Sequence, residues 1–185
     1  MAKFFGNLNL VLLVGVLLAI AVIYGVGPNA ESVQAALRWL HLFFGITWIG
    51  LLYYFNFVQI PTMPSIPAEL KPGVSKHIAP AALFYFRWAA AFTVLTGLII
   101  AWHAGYIVEA LALDPAYRLI GIGMWLALIM AANVWFVIWP NQKKALGLVT
   151  VDDAAKAKAA RVAMLASRTN VLLSIPMLLC MTNYH

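Results

Sequence analysis

The chain has 185 residues, of which 64% are hydrophobic and 10% charged, with a mean hydropathy of +0.91 and a formal net charge of +6. Soluble domains carry about 25% charged residues, so this chain cannot cover itself with polar surface and lipid must be its solvent. In lipid only helices or a closed barrel satisfy every backbone group, and the continuous apolar runs, near the roughly 20 residues a spanning helix needs, exclude the alternation of a barrel strand. The expected fold is an all-α integral membrane protein with five transmembrane helices, one N-terminal helix plus a four-helix core, in a single domain over 1–185.

Segment one covers about 7–26. Its apolar stretch exceeds the roughly 7–15 residues of a signal-peptide core, so a retained span is expected, ended by a turn at Gly27-Pro28-Asn29. Segment two covers about 33–59 and is expected to stop before Pro61, because Pro61, Pro64, Pro67 and Pro72 make the next stretch too proline-rich for a continuous helix. Segment three covers about 80–104 and starts on Pro80, where proline is tolerated. Segment four covers about 117–139 and meets Pro140, and segment five covers about 159–183, with Lys156, Lys158 and Arg161 in polar first turns.

The cations set an expected orientation. Lys3, Lys71, Lys76, Lys143, Lys144, Lys156, Lys158 and Arg161 all fall on one side of alternating spans, whereas Arg38 and Arg118 lie near the other. By the positive-inside rule the lysine-rich side faces the cytoplasm, with the N-terminus inside and the C-terminus periplasmic, in a bacterial inner membrane. The positive charge is then a matter of topology, and no nucleic acid partner is expected.

That topology gathers three of the four histidines, His41, His103 and His185, on the outer face and leaves His77 on the other. Imidazole is the usual ligand of haem iron and of many metals, so His41, His103 and His185 are the candidate iron ligands. His41 stands out because a histidine within a span is costly and tends to be functional. Gly45, one turn on, would let a flat ring approach the backbone, and Trp48 and Leu52 continue the same face. The alternative is a histidine hydrogen-bonded to a neighbouring helix. His103 and His185 sit near the interface, where an amphipathic residue costs little.

A second polar set, Arg87, Arg168, Asn56, Asn133 and Asn170, lies toward the cytoplasmic half with no Asp or Glu inside the spans. Arg87 and Arg168 therefore call for another anion, such as a haem propionate, a lipid phosphate or an anionic substrate, unless each snorkels to the headgroups. Trp39, Trp102 and Trp139 end helices and read as interface anchors; Tyr53, Tyr54, Trp88, Trp125 and Trp135 lie deeper and read mainly as packing. Cys180 is the single cysteine, which excludes an internal disulfide or a cysteine cluster. No phosphate-binding glycine loop, Glu-x-x-His pair or intramembrane carboxylate is available for acid–base catalysis.

Four stretches carry a resemblance. Arg38-Trp39-Leu40-His41 with Gly45-Ile46-Thr47-Trp48-Ile49-Gly50, Phe84-Tyr85-Phe86-Arg87-Trp88, Asn133-Val134-Trp135 through Trp139-Pro140-Asn141-Gln142-Lys143-Lys144, and Ser167-Arg168-Thr169-Asn170 through Ser174-Ile175-Pro176 together resemble the membrane portion of the PuuD-type family, the urate oxidase N-terminal domain, over about 36–185. Larger members add helices and a C-terminal cytochrome c domain and are assigned to urate oxidation. This sequence contains no Cys-x-x-Cys-His, so electrons would need another carrier. Segments two to five are more loosely similar to HemJ-type haem b membrane proteins, which share an early histidine and an Asn…Pro element like Asn170 and Pro176. That similarity implies a haem-ligand role for His41.

The expectation is thus a haem b-binding inner-membrane redox or electron-transfer protein, an oxidoreductase component with His41, Gly45, Trp48, Arg87 and Arg168 around the cofactor. Cytochrome c or another membrane redox subunit, the lipid bilayer and a second copy of the chain are the expected partners. The competing expectation is a cofactor-free accessory subunit of a larger membrane complex.

Overall fold

The structure, a computed structural model, describes residues 2–25 and 30–183. The turn expected at Gly27-Pro28-Asn29 and the terminal His185 lie outside the described residues. Every regular element among the described residues is helical. After a short opening turn, Ala2–Phe5, helix α1 spans Leu8–Gly25; Asn7 caps it by accepting a 3.2 Å hydrogen bond from the Leu10 N–H through its side-chain oxygen. Four long apolar helices follow: α2 with its span at Val33–Ser65, α3 at Lys71–His103, α5 at Arg118–Ala145 and α6 at Asp153–Thr182. A single short helix, α4 (Ile107–Leu111), lies between α3 and α5.

The helices run further toward the lysine-rich end than proline counting predicts. The stretch expected as a loop from 60 to 79 is helical up to Ser65 and again from Lys71, leaving only a short turn. Likewise α5 passes Pro140 to Ala145, and α6 starts at Asp153 rather than near 159. The physical reason is repeated three times: π-helical turns at Tyr54–Gln59, Val74–Ile78 and Val134–Ile138 immediately precede α-helical stretches whose second residue is Pro61, Pro80 or Pro140. Proline lacks an N–H and clashes with the carbonyl four residues back. A wider turn shifts that carbonyl out of the way, so the helix continues. At the start of α6, Asp152 accepts a 2.7 Å hydrogen bond from the Ala155 N–H, which fixes the helix start earlier than the apolar run alone indicates.

Large apolar side chains cover the outside, and a set of polar side chains is buried within the apolar core. Ile46, Trp102, Phe136 and Leu172 are among the most exposed residues, while Asn56, Thr93, Thr96, Ser167, Asn170 and Ser174 are buried. In water this would be inverted; in a bilayer the exposed apolar faces meet lipid and the polar groups bond across helices. These helices make a helical membrane protein. α2 lies along α3 and α5 along α6, around a core of Trp48, Leu52, Phe55, Phe86, Met130 and Val134. α1 contacts little of that four-helix core. Because α2 and α6 touch only sparingly, space remains between them at the end of the bundle away from the lysines.

Candidate cofactor site

That space is a cavity of about 820 Å³ bounded by α2, α3, α5 and the C-terminal part of α6, within the usual size range of small-molecule and cofactor sites. His41, Gly45, Trp48 and Ile49 line it from α2, Thr93 and Gly97 from α3, Met124 from α5, and Met177 and Met181 from α6. Arg38 and Gln34 stand on its wall toward the helix ends. The exposed side chains of Leu42 and Ile46 also border it, so the cavity opens sideways toward lipid.

His41 is held in one tautomer. Its Nδ1 lies 2.9 Å from the backbone carbonyl oxygen of Thr93 and 3.2 Å from Thr96 Oγ1. A carbonyl can only accept, so Nδ1 carries the proton and donates it. The Thr96 hydroxyl donates to the Phe92 carbonyl at 2.6 Å, leaving its lone pairs toward the imidazole. Nε2 is thereby left with a free lone pair, and no hydrogen bond engages it among the described residues. Metal-binding histidines are oriented in this way, by donating their other ring N–H to a backbone carbonyl.

Close approach of α3 depends on Gly97. A Cβ there would stand 2.9 Å from His41 Cε1 and 3.3 Å from Nδ1, so any side chain would push the ring off its carbonyl. Gly45 is less constrained, with a built Cβ meeting only Thr93 Cγ2 at 3.9 Å. Trp48 is fully buried on the cavity wall, and its Nε1 is a buried donor without an acceptor.

The remaining sequence candidates separate from this site. His103 closes α3 on an exposed surface and does not line the cavity, and no cluster of three or more His, Cys, Asp or Glu side chains exists among the described residues. His185 lies outside the described residues. Arg168 is exposed on the outer surface of α6, away from the cavity. Arg87 is buried but sits toward the lysine-rich half, with its guanidinium carbon 3.4 Å from the centroid of the Trp139 ring. Trp139 is thus more than an interface anchor.

The asparagines form their own layer, which joins helices. Asn133 Nδ2 donates to the Ala166 carbonyl at 2.8 Å and to Asn170 Oδ1 at 2.7 Å, and Asn170 Nδ2 donates to the Met130 carbonyl at 3.0 Å. Asn56 Nδ2 donates to Ser167 Oγ at 2.8 Å, and Tyr53 and Ser174 share a 2.9 Å hydrogen bond. These contacts tie α5 and α2 to α6.

Sequence reasoning passed over Arg38, Thr93, Gly97 and the three methionines. Arg38 had a usable signal, since it precedes His41 by three residues and shares its face. The others had none: a methionine or glycine in an apolar span looks like any packing residue until the helices are placed.

The family model described as Urate oxidase N-terminal matches residues 98–185, which takes in the end of α3, all of α5 and α6, and the cavity's methionines but not His41. No curated protein and no solved structure matches the chain.

Proposed function

We propose that the chain binds haem b in the cavity beside His41 and serves membrane redox chemistry related to that of PuuD-type proteins. The observation that carries this reading is the His41 hydrogen bond to the Thr93 carbonyl, which leaves Nε2 free on the wall of a cavity of about 820 Å³. The residues fit the group. An imidazole held in the ligating tautomer is a standard haem ligand, Gly45 and Gly97 line the cavity from facing helices, and Trp48 supplies a large flat wall. Arg38, one turn from His41, offers a planar fork to a carboxylate at the mouth.

The bound group would supply one-electron chemistry at its iron. The chain's own residues hold the imidazole in place through the Thr93 carbonyl and exclude water with apolar walls, and the donated N–H would make His41 Nε2 a stronger iron donor than an unsupported histidine by raising its basicity. Met124, Met177 and Met181 are the other soft donors on the wall. Electrons would pass to or from a cytochrome c or another membrane redox subunit.

The lysine-rich end carries Lys71, Lys76, Lys143, Lys144, Lys156 and Lys158. The proposed setting is therefore the bacterial inner membrane with that end in the cytoplasm and the cavity on the periplasmic side. The test is a visible absorption spectrum of the purified chain from haem-supplemented cells. Wild type should show a Soret band, and His41→Ala should insert equally well and lose it. A colourless wild type would overturn the haem reading and leave a cofactor-free accessory subunit in its place.

A further inference from the structure

At the opposite end of the bundle a second site stands independently of any haem. Arg87 is 9% exposed, and its Nε and Nη1 are enclosed without an acceptor. Its Cζ lies over Trp139, 3.4 Å from the ring centroid, and the Lys143 ammonium lies 5.6 Å from that same centroid. Stacking on the indole satisfies the face of a guanidinium but none of its in-plane N–H donors. Two cations on one ring also repel each other. Among the described residues the ion pair is Lys156 with Asp153 at 3.7 Å, so neither Arg87 nor Lys143 has a carboxylate.

We propose that Arg87 and Lys143, the two cations beside Trp139, bind an oxyanion of the phosphate class. A phosphate offers acceptors that the guanidinium lacks, and a second cation on the same ring suits a multiply oxygenated anion. The position suits a lipid headgroup: Trp139 and Lys143 lie near the end of the α5 span at Ala145, and exposed Lys144 follows. Basic clusters at that level recruit anionic headgroups. A soluble phosphate ester presents the same group from the water side.

Native mass spectrometry of the delipidated full chain in detergent decides between these sources. Phosphatidylglycerol, phosphatidylcholine and inorganic phosphate are each added separately. The expected result is binding of phosphatidylglycerol in preference to phosphatidylcholine, with roughly tenfold weaker binding in Lys143→Gln and in Arg87→Lys, the loss of one charged hydrogen bond. Lys143 is only half-buried, so Lys143→Gln keeps the fold and the comparison stays valid if Arg87 variants do not fold. Binding of inorganic phosphate alone, lost in the same variants, assigns the site to a soluble phosphate. Equal binding of both lipids with no phosphate binding, or undiminished binding in Lys143→Gln, overturns the proposal.

Discussion

At the scale of single residues, the cavity wall is decided by what Gly97 lacks. Its missing Cβ is what lets His41 reach the Thr93 carbonyl. Alanine is the better helix former by about 1 kcal/mol, so Gly97→Ala should insert and remain helical while losing the proposed haem b. The ratio of Soret to protein absorbance reads this directly, and an unchanged ratio would mean that the ring tolerates the crowding. Arg38 makes a parallel case. With the proposed haem b in place, Arg38→Gln should leave the His41 ligand and the band position unchanged but speed transfer of the haem to a competing acceptor such as apomyoglobin. Equal loss rates would remove Arg38 from the site.

At the scale of elements, the bundle is joined by polar side chains where apolar contact has little drive in lipid. Asn170 is fully buried and bonds both Asn133 and the Met130 carbonyl. Asn170→Leu therefore removes two bonds and leaves the Asn133 amide only its bond to the Ala166 carbonyl. It should lower stability by about 1–2 kcal/mol, seen as an earlier loss of far-ultraviolet circular dichroism on heating in detergent; an unmoved transition would show the layer to be energetically idle. Gly121 plays a steric role at the other end, where a Cβ would run into the Ala110 carbonyl of α4. Gly121→Ala should loosen α4 from α5 and increase hydrogen exchange over Ile107–Leu111, whereas unchanged exchange would show that the short helix adapts. The π turns before Pro61, Pro80 and Pro140 belong to this scale as well, because they let proline-bearing segments stay helical.

At the scale of the molecule, one end is basic and carries the Arg87 site, and the other carries the His41 cavity. The polarity of the membrane would thus separate the proposed anion site from the proposed haem site. Cysteine accessibility tests the assignment of sides. With Cys180 replaced by alanine, a cysteine at Val149 in the turn before α6 should resist a membrane-impermeant maleimide in intact cells, and one at Ala112 after α4 should react. The reverse pattern would place the cavity on the cytoplasmic face.

Composition and periodicity by themselves determined the all-helical membrane class, the apolar spans and the segregation of lysines to one side, because these depend on transfer of residues from water to lipid one at a time. The stretch around His41 also announced itself, since an intramembrane histidine is costly wherever its neighbours lie. Only the tertiary structure decided that Thr93 orients His41, that Gly97 admits it, that His103 stands clear of the cavity and that Arg87 stacks on Trp139. Each of these depends on which faces of distant helices meet. The proline-rich connection was misread for a related reason: proline's local cost is visible in sequence, but the widened turn that relieves it is a property of the whole helix and of what it packs against.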